Sequence, residues 1–140
     1  MFVRSFKVKG EDVNDFMVMQ NFAYLSLASK LIEVYLYEQG FSKLKLNTLK
    51  IGWQKINDTL INKKHLMFAE PFTVQLNFTD LIIDKKSTKA SVDFYNSKNE
   101  FCAKLITDLQ WFDYNTWKVI SPPEKIAQYL IKQKELRRAV

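Results

Sequence analysis

The chain of 140 residues has the length of one domain, and 47% apolar with 26% charged residues suits a single core and excludes disorder. Three glycines, three prolines, one cysteine (Cys102) and one histidine (His65) exclude a glycine-rich phosphate loop, a disulfide framework, a zinc finger and any site of several His or Cys ligands. The formal charge of +6 rests on 18 lysines and 3 arginines (Arg4, Arg137, Arg138) spread along the chain, which describes a solvated surface open to small anions, not a nucleic-acid footprint.

From the N-terminus, Met1–Lys7 carries polar residues where a secretion signal needs an apolar run. Phe2–Val8 predicts a first strand, with Phe2, Phe6 and Val8 on one face. A polar segment, Lys9 to Asp15, leads into a predicted helix from Asn21 to Gln39 that stops at Gly40. Ser26, Ser29 with Lys30, Glu33 and Tyr37 form one narrow polar stripe. The rest, from Phe22 through Leu36, is apolar, as expected of a central helix wrapped by protein. Lys30 and Glu33 interrupt the run, so no membrane span is expected and a cytoplasmic location is the expectation.

Leu44–Leu49 predicts a short second helix closed by Ile51-Gly52, and Trp53–Ile61 a strand. Phe72, Val74, Leu76 and Phe78 alternate with polar residues in a half-buried strand. A turn at Asp84–Ser87 leads to a strand carrying Ala90, Val92 and Phe94. A second turn at Asn96–Asn99 leads to a strand over Phe101–Phe112. A third, at Asp113–Thr116, returns through Trp117 to Ile120. Pro122-Pro123-Glu124 opens a predicted amphipathic helix with Ile126, Ala127, Leu130 and Ile131. The order strand, long helix, antiparallel meander predicts an α+β hotdog fold, a curved antiparallel sheet wrapped around the helix, in one domain with a C-terminal helical tail.

Several landmarks carry a family resemblance. Val8 and Asp12-Val13 precede the segment where the family has Asp-x-Asp-x-x-Gly-His-Val/Met. Asn21-x-x-Tyr24 opens the helix, and Gly40-Phe41-Ser42 closes it. Leu49-Lys50-Ile51-Gly52 enters the next strand. Trp111-Phe112-Asp113-x-x-Thr116-x-Lys118 and Pro122-Pro123-Glu124 match the final hairpin and tail. With these landmarks in order from Phe2 to Tyr129, the sequence resembles the hotdog-fold acyl-CoA thioesterases of the 4-hydroxybenzoyl-CoA thioesterase-like type.

The resemblance implies hydrolysis of an acyl-CoA to free acid and CoA, in a homodimer or homotetramer whose sheets join edge to edge. No metal and no cofactor is expected. The site would lie beside the N-terminus of the central helix, where free backbone N–H groups polarise a thioester carbonyl and a carboxylate attacks or activates water. Substrate-binding positions fall on Met17, Val18, Asn21 and Tyr24. The family's catalytic Asp falls on Asn14, whose amide orients a water or binds a carbonyl but is not a base. Its Gly falls on Met17 and its His on Val18.

Asp12, Asp15 and Asp58 are the candidate replacement carboxylates. For Asp12 and Asp15 the plain alternative is a loop or capping role, and for Asp58 a strand-edge charge. His65, after Lys63-Lys64, is expected in an exposed turn. Cys102 is expected in the core, and Ser26 and Ser29 as packing or interface groups, not nucleophiles. The alternative function is a non-catalytic hotdog protein that binds an acyl thioester or a protein partner. A nucleic-acid-binding domain has only the charge in its favour, and neither nucleic-acid nor membrane insertion is expected.

Overall fold

Alternation at the N-terminus produces the expected strand. In β1 (Phe2–Lys7) the even-numbered side chains are half-buried and the odd-numbered ones exposed. β1 pairs antiparallel with β3 (Pro71–Ile82), with Phe6 opposite Phe72 and their rings stacked 5.8 Å apart. Between them in sequence come α1 (Asn21–Glu38), α2 (Lys43–Leu49) and β2 (Ile51–Asn62); β4 (Ser87–Asn96), β5 (Phe101–Asp113) and β6 (Val119–Ile120) follow. The sheet runs β1-β3-β4-β5-β2, and β6 pairs antiparallel with β5 off that path. The computed structural model describes residues 2–82, 87–124 and 127. The turn expected at Asp84–Lys86 and the terminal helix with Ile126, Leu130 and Ile131 lie outside the described residues. Ser87, assigned to that turn from sequence, opens β4 instead.

α1 ends as its sequence dictates. Gly40 takes φ 91°, Phe41 N–H donates to the Leu36 carbonyl (2.8 Å), and Gly40 N–H donates to that of Tyr37 (3.0 Å). These two bonds define a Schellman motif, which satisfies carbonyls the helix leaves free. Ser42 then caps α2 by accepting from Lys45 N–H at 3.1 Å. The second helix stops at Lys50, held at φ 59°, and not at Ile51-Gly52, which already belong to β2. The left-handed turn at Lys50, whose N–H donates to the Asn47 and Leu46 carbonyls, ends the helix two residues before Gly52.

The chain forms two compact units, one of Met1–Ile32, Thr59–Asn77 and Ser91–Ile106, the other of Glu33–Asp58, Phe78–Ala90 and Thr107–Val140. In the first, Ala23, Tyr24, Ala28, Leu31 and Ile32 of α1 are buried, as are Phe72, Val74, Val92 and Phe94. Tyr24 meets Phe94 edge to face at 4.9 Å, a geometry worth about 0.5–1.5 kcal/mol beyond the area it buries. In the second, Tyr35 packs on Phe78 at 5.0 Å, and Phe112 and Tyr114 close over Gly52. The helix is less enclosed than its composition predicts. Ser26, Lys30 and Tyr37 are exposed as expected, but so is Phe22, at 51%. Phe22 stands in the first turn of α1, at the mouth of the cleft described below.

Candidate active site

The loop before α1 folds back on itself. Val13 and Met19 form an antiparallel bridge, and Asn14 fastens the residues inside it. Asn14 N–H donates to the Val18 carbonyl, and its own carbonyl accepts from Met17 N–H, both at 3.0 Å. Its side-chain oxygen accepts two more bonds, from Phe16 N–H (2.9 Å) and Val18 N–H (3.2 Å). With Oδ1 occupied, the amide's remaining hydrogen-bonding capacity is Nδ2 with its two protons. Towards a ligand, Asn14 is a donor.

Met17 completes the turn at φ 64°. A side chain in this region costs roughly 1–2 kcal/mol, which is why glycine suits such a position. The family resemblance sets a glycine at the position of Met17, and the backbone there has a positive φ.

Three links bring a distant segment to this loop. Met19 N–H donates to the Leu66 carbonyl and Phe68 N–H to that of Met17, each at 2.8 Å, and Val18 bridges Met67. His65 is thereby carried to the loop. A cleft of about 480 Å³ results, lined by Asn14, Val18, Gln20, Asn21, Asn62 and His65, with Met19 and Phe22 completing the wall.

The lining is mostly amide. Asn62 Nδ2 donates to Asn21 Oδ1 (3.2 Å), and Gln20 Nε2 to the Val13 carbonyl (3.0 Å). α1 begins in this wall. The N–H groups of Asn21 and Phe22 precede its first intrahelical bond and have no acceptor among the described residues. The positive end of the helix dipole therefore lies at the cleft. Such an arrangement polarises a carbonyl and stabilises an oxyanion.

The other expected site residues are placed elsewhere or differently. Asp12 lines a second, smaller cleft of about 170 Å³, where Lys7, Lys9 and Lys30 surround an apolar floor that includes Phe6 and Leu27. Its Oδ2 accepts from Lys9 N–H at 3.1 Å, which is the capping role. Asp15 is exposed and lines neither cleft. Asp58 belongs to the second unit, where its carboxylate accepts from the buried Thr107 hydroxyl and pairs with Lys55 Nζ at 3.3 Å.

Tyr24 is buried beneath the helix start and is absent from the cleft wall, and burial pushes its phenol up to about 12. Cys102 is buried, with Sγ 3.4 Å from the Glu100 carbonyl, and burial raises its thiol above the usual value. That opposes a nucleophilic thiolate. Ser29 Oγ donates back to the Leu25 carbonyl at 3.3 Å, a packing role, and the exposed Ser26 lines the smaller cleft.

Gln20, Asn62 and His65 are the polar cleft residues that sequence reasoning did not assign to the site, and Met19 and Phe22 the apolar ones. His65 is exposed, as expected, but in the cleft wall. Nothing local in Lys63-Lys64-His65 marks it; the one signal was its being the chain's single histidine. Among the described residues no group of three or more His, Cys, Asp or Glu could hold a metal ion, and no helix is long and apolar enough to cross a membrane.

The sequence matches the thioesterase-like superfamily over residues 8–130, and the chain belongs to that family. No curated protein matches it. Among solved structures it is similar to a hypothetical protein of Staphylococcus aureus, SAV2348, in complex with CoA, with TM-score 0.88 and 15% identity over 96% of this chain and 84% of that one. It is also similar to the gentisyl-coenzyme A thioesterase BH1999, with TM-score 0.78 and 22% identity over 89% of this chain and 98% of the other. A 1,4-dihydroxy-2-naphthoyl-CoA thioesterase from Synechocystis aligns with TM-score 0.82 and 11% identity over 93% and 95% of the two chains. The fold is the hotdog fold, an antiparallel sheet with one long central helix.

Proposed function

We propose that this protein, as one hotdog domain, hydrolyses acyl-CoA thioesters to the free acid and CoA. The observation that carries this is the polar cleft at the start of α1, lined by Asn14, Asn21 and Phe22, where the N–H groups of Asn21 and Phe22 have no acceptor among the described residues and the Asn14 amide is left with Nδ2 to donate. All are donors, and a thioester carbonyl becomes an oxyanion when water adds to it. Donors already in place lower that barrier because no solvent has to reorganise. Membership of the thioesterase-like superfamily and likeness to structures described as CoA-bound or as CoA thioesterases support the same substrate class.

Asn14 binds the carbonyl and replaces the family carboxylate in position only. Val18, Asn21 and Met17 border the acyl thioester, and lysines of the basic surface take the phosphates of CoA. Asp12, Asp15 and Asp58 are the carboxylates that compete for the role of base. The active form is a homodimer or homotetramer in the cytoplasm. β2 has one neighbour, β5, on the path through the sheet and offers its other edge to a second copy. The test is thiol release from short, long and aromatic acyl-CoAs, with release at a rate that scales with enzyme concentration as the expected result.

One observation favours the second reading, a protein that binds acyl thioesters without cleaving them: among the described residues no carboxylate lines the cleft that holds Asn14. Saturable acyl-CoA binding with no thiol released would select it.

A further inference from the structure

We infer that His65 is the general base of the cleft, an inference that rests on the hydrolytic reading above. Among the described residues lining that cleft, His65 is the one with a side chain of base chemistry; the others are amides and apolar groups. Asn14 cannot take a proton, because its oxygen already accepts two N–H bonds and its nitrogen only donates. The carboxylates nominated by the sequence have other work. Asp12 caps the turn at Lys9, and Asp58 is held by Thr107 and Lys55. Asp15 is outside the lining.

The backbone on either side of His65 is pinned. Lys64 N–H donates to the Cys102 carbonyl at 3.0 Å, and the Leu66 carbonyl accepts from Met19 N–H at 2.8 Å. Lys64 Nζ, on the neighbouring residue, is itself paired with Glu100. His65 is thus carried on a fixed backbone, exposed to water, in the wall of the same cleft as the start of α1, whose first N–H groups have no acceptor among the described residues. Histidine is the side chain suited to proton transfer near neutral pH.

The step balances with water as the only co-reactant. An imidazole nitrogen of His65 takes a proton from water as the water oxygen bonds to the thioester carbon. The carbonyl electron pair moves onto oxygen, held by the N–H groups of Asn21 and Phe22 and by Asn14 Nδ2. When the oxyanion collapses, the C–S bond breaks and the thiolate of CoA receives the proton from the imidazolium. The acid leaves and ionises, and His65 returns neutral.

The experiment compares wild type, His65→Ala and His65→Gln for thiol release from the best acyl-CoA, with and without added imidazole. Because the side chain is exposed, both variants are expected to keep the wild-type circular dichroism spectrum and to bind a non-hydrolysable acyl-CoA thioether as wild type does. Turnover is expected to fall about 10²–10⁴-fold in both. Imidazole is expected to restore part of it to His65→Ala in proportion to its concentration, which a merely structural role would not allow. Wild-type turnover in His65→Ala, or full activity in His65→Gln, would overturn the assignment and leave the hydrolytic reading standing with a carboxylate as base. No thiol release from wild type itself would overturn both.

Discussion

Replacing Asn14 by Asp and by Ala separates its hold on the loop from its part in chemistry. The side-chain oxygen accepts from Phe16 and Val18 at 2.9 and 3.2 Å. Alanine releases both N–H groups, but the loop is exposed and water replaces the lost acceptor. At the low end of about 0.5–1.5 kcal/mol per bond, the cost is about 1 kcal/mol in all. Aspartate keeps both bonds, and its charge near the start of α1 adds about 0.3–1 kcal/mol of stability. Urea unfolding is therefore expected to rank Asp at or above Asn, and Ala lowest.

Turnover is expected to follow a different order. Both substitutions remove Nδ2, and losing one oxyanion donor typically costs about 10²–10³-fold. Aspartate also places a negative charge where the oxyanion forms. Both variants are expected to release thiol from acyl-CoA far more slowly than wild type, although one is more stable and the other less. Turnover in Asn14→Asp equal to or above wild type would refute the donor role and restore the carboxylate route of the family.

Gly52→Ala puts a Cβ 2.5 Å from Phe112 Cζ and 2.6 Å from Tyr114 Cε1, and overpacking of this kind is expected to cost about 1–3 kcal/mol in urea unfolding. An unchanged midpoint would show that the rings move aside freely. Glu100 is held below the ordinary carboxylate value by its hydrogen bonds to Lys64 and Asn96. Its contribution is therefore complete above about pH 5 and is lost as pH falls through the lowered value, so Glu100→Gln is expected to flatten the acid side of the stability–pH curve. A curve with the same acid slope would remove that pair from the balance. Sedimentation at micromolar concentration is expected to give a dimer or tetramer, and Ile61→Lys on the β2 edge, where Ile61 is 42% exposed, to shift it towards monomer. A folded wild-type monomer at that concentration would remove the basis for an interface at β2.

Local chemistry explains what was legible from sequence. The alternation of Phe72, Val74, Leu76 and Phe78, all buried, and the Gly40 stop of α1 are patterns within a few residues, and each produced the element it signals. The misjudged positions depend on what lies far away in sequence. Phe22 is apolar yet exposed, because the first helical turn borders the cleft. Met17 is not a residue type that announces a left-handed turn, and only the family glycine at its position pointed to the φ of 64° found there. The cleft itself joins Asn14 to His65 through the Val18–Met67 bridge and the Met19–Leu66 bond, long-range pairings that no periodicity announces. What the sequence did mark was the loop before α1, where three family positions had changed together.

Thiol release by wild-type protein, followed with a disulfide reagent across acyl-CoAs of short, long and aromatic acyl groups, tests the central claim most directly. Enzyme-dependent turnover with free acid and CoA in equal amounts is the expected result. Absence of thiol release from every acyl-CoA, under conditions where the protein is folded, would contradict it.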